Sequence, residues 1–189
     1  MKRLLPTGLS LLIFLIFLVT TVSRAANPKD PGNSVHSAAA TPSEQLGTAA
    51  GWTAYTYKER SGKVCYIAGR SEKSEPPVAK RRQPIAMVTH RPGEKIANVV
   101  SFDQGYTLKE GSDVSLDIDG TKFDLFTKDG SAWARTSELD KNIVEAMAKG
   151  KQAVVKGTPQ KGVPFADTYS LAGFAQALAM IDKACEIKR

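Results

Sequence analysis

The sequence predicts a mainly β protein of antiparallel strands with two short helices, the second of them C-terminal. Three observations carry that prediction. Residues 113–119 alternate Val114, Leu116 and Ile118 with Asp113, Ser115, Asp117 and Asp119, the period of a strand with one face in water. Aromatic and β-branched runs at 52–57 and 63–68 flank a Ser61-Gly62 turn. Two later segments instead space their apolar residues three and four apart, which marks helices.

Taken in order, residues 1–25 read as a signal peptide. Lys2 and Arg3 form a positive start, an apolar run of 14 residues covers 9–22, and Ser23 and Ala25 supply the small residues a peptidase reads. Cleavage after Ala25 is expected. The competing reading is an uncleaved anchor, although the run falls short of the roughly 20 residues a spanning helix needs. No cysteine follows it, so nothing points to a lipoprotein. Residues 26–50 then read as a disordered tether. They hold Pro28, Pro31 and Pro42, lack aromatics, and offer only Val35 and Leu46 as bulky aliphatics.

The folded domain is expected over 51–189. In the 63–68 run Cys65 and Ile67 share one face, Val64 and Tyr66 the other. Residues 71–83 read as a loop or edge, because Pro76-Pro77 and the charges of Lys80-Arg81-Arg82 suit a central strand badly. Strand signals return at 85–90, 97–102 and 106–109. Asp119-Gly120 and Asp129-Gly130 supply the hairpin turns of a meander that carries Phe123 and Leu125 back and ends in Ala132-Trp133-Ala134. Ser137 is placed to cap the first helix with Asp140 three residues on. Leu139, Ile143 and Met147 form its stripe, and Gly150 is placed for a left-handed cap. Strands follow at 153–155 and 165–169. The last helix starts after Ser170, with Phe174, Leu178, Ile181 and Cys185 on one face.

Charge and cysteine bound the function. The net charge is +7, but Lys2, Arg3 and Arg24 belong to the leader, so the mature chain keeps only a mild excess. That excludes the clustered basic face of a nucleic-acid binder. Membrane contact is expected only through the signal peptide or by peripheral association. Cys65 and Cys185 are the only cysteines, and an exported chain meets an oxidising compartment, which favours a disulfide between them. A reactive thiol beside His36 or His90 is the competing reading.

No motif for phosphate, dinucleotide or acyl chemistry is present. Two histidines and two cysteines make no zinc site at a familiar spacing. Asp117 and Asp119 lack the glutamate that closes a calcium loop, and turn chemistry accounts for them. Ser170, His90 and Asp167 supply the residue types of a hydrolase triad, but a triad is defined by geometry, not inventory. Lys80, Arg81 and Arg82 are the candidate contact for an anionic partner, with a solvated loop as the plainer reading. Trp52 and Trp133 are candidates for ligand stacking, though strand tryptophans commonly fill cores.

From Gly51-Trp52 to Cys185 the chain resembles the invasion-associated locus B family of exported bacterial proteins. The likeness lies in Val64-Cys65-Tyr66, Gly105-Tyr106, the hairpin region 123–133 ending in Ala132-Trp133-Ala134, and Ala146-Met147 with Gly150. It is densest in Asp167-Thr168-Tyr169-Ser170-Leu171, Gly173-Phe174, Ala177-Leu178, Ile181-Asp182 and Ala184-Cys185. The resemblance implies an immunoglobulin-like β-sandwich of the periplasm or cell envelope. It brings no catalytic residues and no cofactor. What it implies is a non-enzymatic protein that binds an envelope or host macromolecule, with a role in invasion for the founding member. A periplasmic housekeeping or stress scaffold is the alternative, and a hydrolase a distant third. The long segment before Gly51 and the basic stretch 76–84 depart from the family pattern.

Overall fold

A computed structural model of the chain describes residues 42–77, 81–109 and 111–189. The expected signal peptide, residues 26–41 of the expected tether, and Lys80 lie outside the described residues.

Among the described residues eleven strands form one antiparallel sheet in the order β1-β2-β3-β5-β6-β9-β8-β7-β10-β11-β4. In chain order they are β1 (Glu44–Ala49), β2 (Trp52–Glu59), β3 (Gly62–Arg70), β4 (Lys73–Glu75), β5 (Ile85–Arg91), β6 (Ile96–Asp103), β7 (Val114–Ile118), β8 (Thr121–Lys128) and β9 (Ser131–Trp133), then β10 (Gln152–Gly157) and β11 (Phe165–Ser170). Helix α1 (Ser137–Lys149) precedes β10, and α2 (Phe174–Cys185) ends the fold. The described residues have the expected mainly β class, with two α-helices, the second C-terminal.

Strand β8 makes the fold sandwich-like. Thr121 to Leu125 pair with β7, whereas Phe126 to Lys128 pair with β9. One long strand therefore serves both halves of the sheet, and the halves close over a shared core. Phe102 of β6 meets Tyr169 of β11 edge to face at 5.7 Å, and the Trp52 indole N–H donates to the Ser170 carbonyl at 2.9 Å. Helix α2 covers the inner face of β2 and β3. Its Phe174 ring sits edge-on to Trp52 at 4.9 Å, and Cys185 is bonded to Cys65, their Cα atoms 6.1 Å apart. Both hairpin turns form as their Asp-Gly pairs require, with positive φ at Asp119, Gly120, Asp129 and Gly130.

Several local expectations are corrected. The tether does not run to residue 50. Glu44–Ala49 is an edge strand on β2, since a backbone ladder needs no bulky side chains. Residues 106–109 form no strand, only a single bridge between Leu108 and Pro159. The cap of α1 is Thr136, whose Oγ1 accepts the Leu139 N–H at 3.1 Å from an extended backbone. Asp140 is unavailable for a capping box because it accepts the Val100 N–H at 2.8 Å, joining α1 to β6. Gly150 is extended, φ −81 and ψ 169, not left-handed. Glycine serves there for space, as a Cβ would lie 2.9 Å from Ile118 and 3.0 Å from Leu171. Helix α2 begins after Ser170 as expected, at Phe174, whose N–H donates to the Leu171 carbonyl at 3.1 Å.

Candidate functional site: a tyrosine face of the sheet

Strand alternation assigns each side chain of β2, β3 and β5 to one of two faces. Cys65, Ile67, Val88 and Trp52 point inward and are covered by α2 and the opposing half. The outward residues are not the charged set that a wet antiparallel face usually carries. The cross-strand register puts Tyr55 beside Tyr66, Tyr66 beside Thr89, and Thr89 beside Val99. The next row runs Ala68, Met87, Ser101 and Trp133. Val64, opposite Tyr57, is fully buried on this outer side although it lies outside the main core cluster.

The aromatic rings support one another. Tyr55 and Tyr66 stack at 5.0 Å and 18°, and Tyr57 meets Tyr66 edge-on at 6.0 Å. Such pairs contribute about 0.5–1.5 kcal/mol beyond area burial. The Tyr57 hydroxyl donates to Glu59 at 2.9 Å, and the Tyr66 hydroxyl donates to Ser43 at 3.4 Å. Burial first, and the bond to Glu59 second, push the Tyr57 phenol up, so it stays a neutral donor. Two hollows lie on this surface, of about 730 and 630 Å³, and share Tyr66 and Met87. Glu59, Arg91 and Glu94 rim the first, and Arg70 and Glu72 the second. Arg91 is ion-paired to Glu59. Trp133 borders the first hollow, and its indole N–H is buried with no partner among the described residues.

The candidates singled out from sequence fare differently. The basic stretch is not a row of exposed cations. Arg81 is buried, its side chain 3% exposed, and grips the fully buried Asp167 with both Nη atoms, at 2.9 and 2.5 Å. Its guanidinium lies over Tyr106 at 4.2 Å and Phe165 at 4.7 Å. It is therefore spent inside the protein and corrected from an anionic-partner contact to a core ion pair. Arg82 is exposed and reaches Asp103 at 3.3 Å. Lys80 lies outside the described residues.

Ser170, His90 and Asp167 are not brought together as a triad. His90 is fully buried. Its Nδ1 accepts the Asn98 N–H at 3.0 Å, so Nε2 carries the proton and donates to Asp182, also at 3.0 Å. Arg189 closes a ring by binding both Asp182 and Asn98. That bonding, together with His90, lowers the Asp182 carboxyl pKa against the opposing effect of its burial, the largest single influence. Asp167 serves Arg81 and Ser74 instead. Asp117 accepts the Gly120 N–H, which is turn chemistry, whereas the Asp119 carboxylate accepts the Lys151 and Gln152 N–H groups at the start of β10, a contact distant in sequence. Among the described residues no group of three or more His, Cys, Asp or Glu side chains is placed to hold a metal ion. Trp52 fills the core, whereas Trp133 faces outward.

The tyrosine face was visible in the sequence only as alternation. The sequence assigns its residues to strands, but nothing local says that neither described α-helix packs on this side.

The family model for the invasion associated locus B (IalB) protein matches residues 52–182. The chain belongs to that family. No curated protein and no solved structure matches it. The matched span begins at the first residue of β2 and encloses β2, β3, β5, β6 and β9, hence every strand of the tyrosine face except the edge strand β1. It also encloses the Arg81–Asp167 pair and stops three residues short of Cys185.

Proposed function

We propose that this IalB family protein is a non-enzymatic, exported protein of the bacterial cell envelope that works by binding another protein through its tyrosine face. The observation that carries the reading is a broad sheet face of Tyr55, Tyr57, Tyr66, Met87, Val99 and Trp133 that neither α-helix of the described residues covers. Tyrosine, tryptophan, methionine and arginine are the side chains that concentrate in protein interfaces, with charge displaced to the rim. Here the rim is Glu59, Arg91 and Glu94 on one side and Arg70 and Glu72 on the other. The leader-like residues 1–25 support export, and the separate commitments of His90, Asp167 and Cys65 support a role without chemistry of its own. A part in host contact, as the family name suggests, extends this reading to one class of partner.

The test is crosslinking in intact cells, comparing wild-type protein with Tyr57→Ser/Met87→Ser. A discrete crosslinked species, competed by excess wild-type protein and lost in the double variant, is expected. Equal capture by the variant would remove the tyrosine face from the reading. Turnover of an envelope substrate by purified protein would remove the non-enzymatic part.

A further inference from the structure

The net charge of the protein is gathered at one end of the sheet, where β2 runs into β3 and β5 into β6. Lys58, Arg60 and Lys63 lie at the first connection, and Arg91 and Lys95 flank the second. The second is a single 3-10 turn, Pro92–Glu94, seated directly on the first: a Cβ on Gly93 would lie 1.7 Å from the Ser61 carbonyl oxygen. The C-terminal end of α2 joins them and brings Lys183, Lys188 and Arg189. Three bonds hold it there. The Lys63 Nζ donates to the Ala184 carbonyl at 3.0 Å, Cys65 is bonded to Cys185, and Arg189 donates to Asn98 of β6 at 2.9 Å.

Charge separates this end from the rest of the molecule. It holds eight cations against the four carboxylates of Glu59, Glu94, Asp182 and Glu186, a net of +4. The other described residues hold thirteen Lys and Arg against thirteen Asp and Glu, so they contribute no net charge. The remainder of the sequence has only two anions, Asp30 and Glu110, against five cations, too few to cancel +4.

Half of these cations have a structural task. Lys63 and Lys183 complement the negative end of the α2 dipole, Arg91 is paired to Glu59, and Arg189 to Asp182. Lys58, Arg60, Lys95 and Lys188 remain, all exposed, although gathering like charge works against the folded state. Beside them Ile96 is 39% exposed, a large aliphatic side chain presented at the same end. Two of the three arginines are spent on carboxylates, which leaves mainly lysine point charges. Point charges suit a diffuse negative surface better than the forked recognition of one phosphate. Cations beside an exposed apolar group are the chemistry that holds a protein on an anionic bilayer.

We propose that this end docks the protein on an anionic phospholipid surface, with Arg60, Lys95 and Lys188 among the headgroups and Ile96 at their boundary with the acyl chains. Because the end lies at the tips of four strands, the sheet stands on the bilayer and the tyrosine face is turned sideways, away from the lipid. The docking does not depend on capture of a partner by that face. The test is co-sedimentation of the mature protein with vesicles of phosphatidylglycerol and phosphatidylcholine in equal parts, and with vesicles of phosphatidylcholine alone. Binding to the anionic vesicles only, falling as salt rises, is expected. Arg60→Glu/Lys95→Glu should weaken it by about 25-fold or more, on a scale of about fivefold per cation at such a surface. Arg60→Gln/Lys95→Gln, which only removes charge, takes its place if the reversal lowers the thermal midpoint. Lys128→Glu/Lys156→Glu makes the same change in net charge at exposed sites elsewhere and should weaken binding far less. Ile96→Ser should weaken it severalfold and leave the salt dependence intact. An unchanged affinity for Ile96→Ser would overturn the insertion of that side chain. Equal binding to both kinds of vesicle, equal losses in the two charge-reversed pairs, or loss on Tyr57→Ser/Met87→Ser would overturn the docking end. Binding to soluble polyphosphate but to neither vesicle would overturn the lipid surface as its partner.

Discussion

The two faces of β2, β3 and β5 are built from nearly the same kinds of residue, yet they have opposite fates. The inner face carries Trp52, Cys65, Ile67 and Val88, and α2 seals it through a disulfide and the Trp52–Phe174 contact. The outer face carries three tyrosines and Met87, continued by Val99 of β6 and Trp133 of β9, and neither α-helix of the described residues covers it. The difference teaches that apolar content alone does not mark a core. A core needs a second layer, and among the described residues the α-helices pack on one side of the sheet. The outer face then stays aromatic and partly exposed among the described residues.

Unlinking the inner face should have the largest effect. Cys65 and Cys185 are 120 residues apart, and a loop that long gives an entropic stabilisation near 5 kcal/mol as an upper figure, with measured values commonly about 2–4 kcal/mol. Cys65→Ala/Cys185→Ala should lower the urea midpoint accordingly. An unchanged midpoint would mean that packing of α2 holds the inner face without its bond.

Next comes the core ion pair. Arg81→Met leaves the fully buried Asp167 without its partner and should cost about 3–5 kcal/mol, whereas the adjacent Arg82→Ser should cost well under 1 kcal/mol. Chemical denaturation of the two variants separates them, and equal losses would contradict the assignment of Arg81 to the interior. Restoring stability with Arg81→Met/Asp167→Leu would locate the cost in the orphaned charge.

A smaller effect is expected at the α1–β6 contact, and it depends on pH. Burial pushes the Asp140 carboxyl from its ordinary 3.8 to about 6, despite the Val100 N–H that favours the anion. The folded state therefore holds this proton more tightly than the unfolded chain. The contribution is favourable at low pH, declines as pH rises from about 4 to about 6, and is flat above, at about 1.4 kcal/mol per pK unit. Asp140→Asn, which keeps an acceptor for Val100, should flatten that part of the stability profile. A wild-type profile with no fall across this window would contradict it.

The smallest effect on stability should come from the outer face. Tyr57→Ser should cost about 1 kcal/mol or less, because the residue is partly exposed and its loss is absorbed by solvent. The same change should reduce partner capture, which no inner-face variant of intact fold should do. A large fall in thermal midpoint for Tyr57→Ser would make the outer face a structural surface after all.

Local chemistry made the strands and turns legible from the chain alone. Asp119-Gly120 and Asp129-Gly130 carry their turn geometry in two residues, and the alternation of Val114, Leu116 and Ile118 needs only neighbouring side chains. The stripe of Phe174, Leu178, Ile181 and Cys185 placed α2 and aimed its cysteine inward for the same reason. Tertiary structure decided what these elements meet. Arg81 and Arg82 are adjacent and chemically alike, yet one is buried because Asp167, 86 residues away, arrives beneath it while the other stays in water. His90 is bound by Asp182 at a separation of 92, which removes it from any reading as a free base. Periodicity names the side of a strand on which a residue lies, but whether another layer covers that side depends on contacts distant in sequence. For that reason the strands bearing Tyr55, Tyr57 and Tyr66 were readable in advance, and the openness of their face was not.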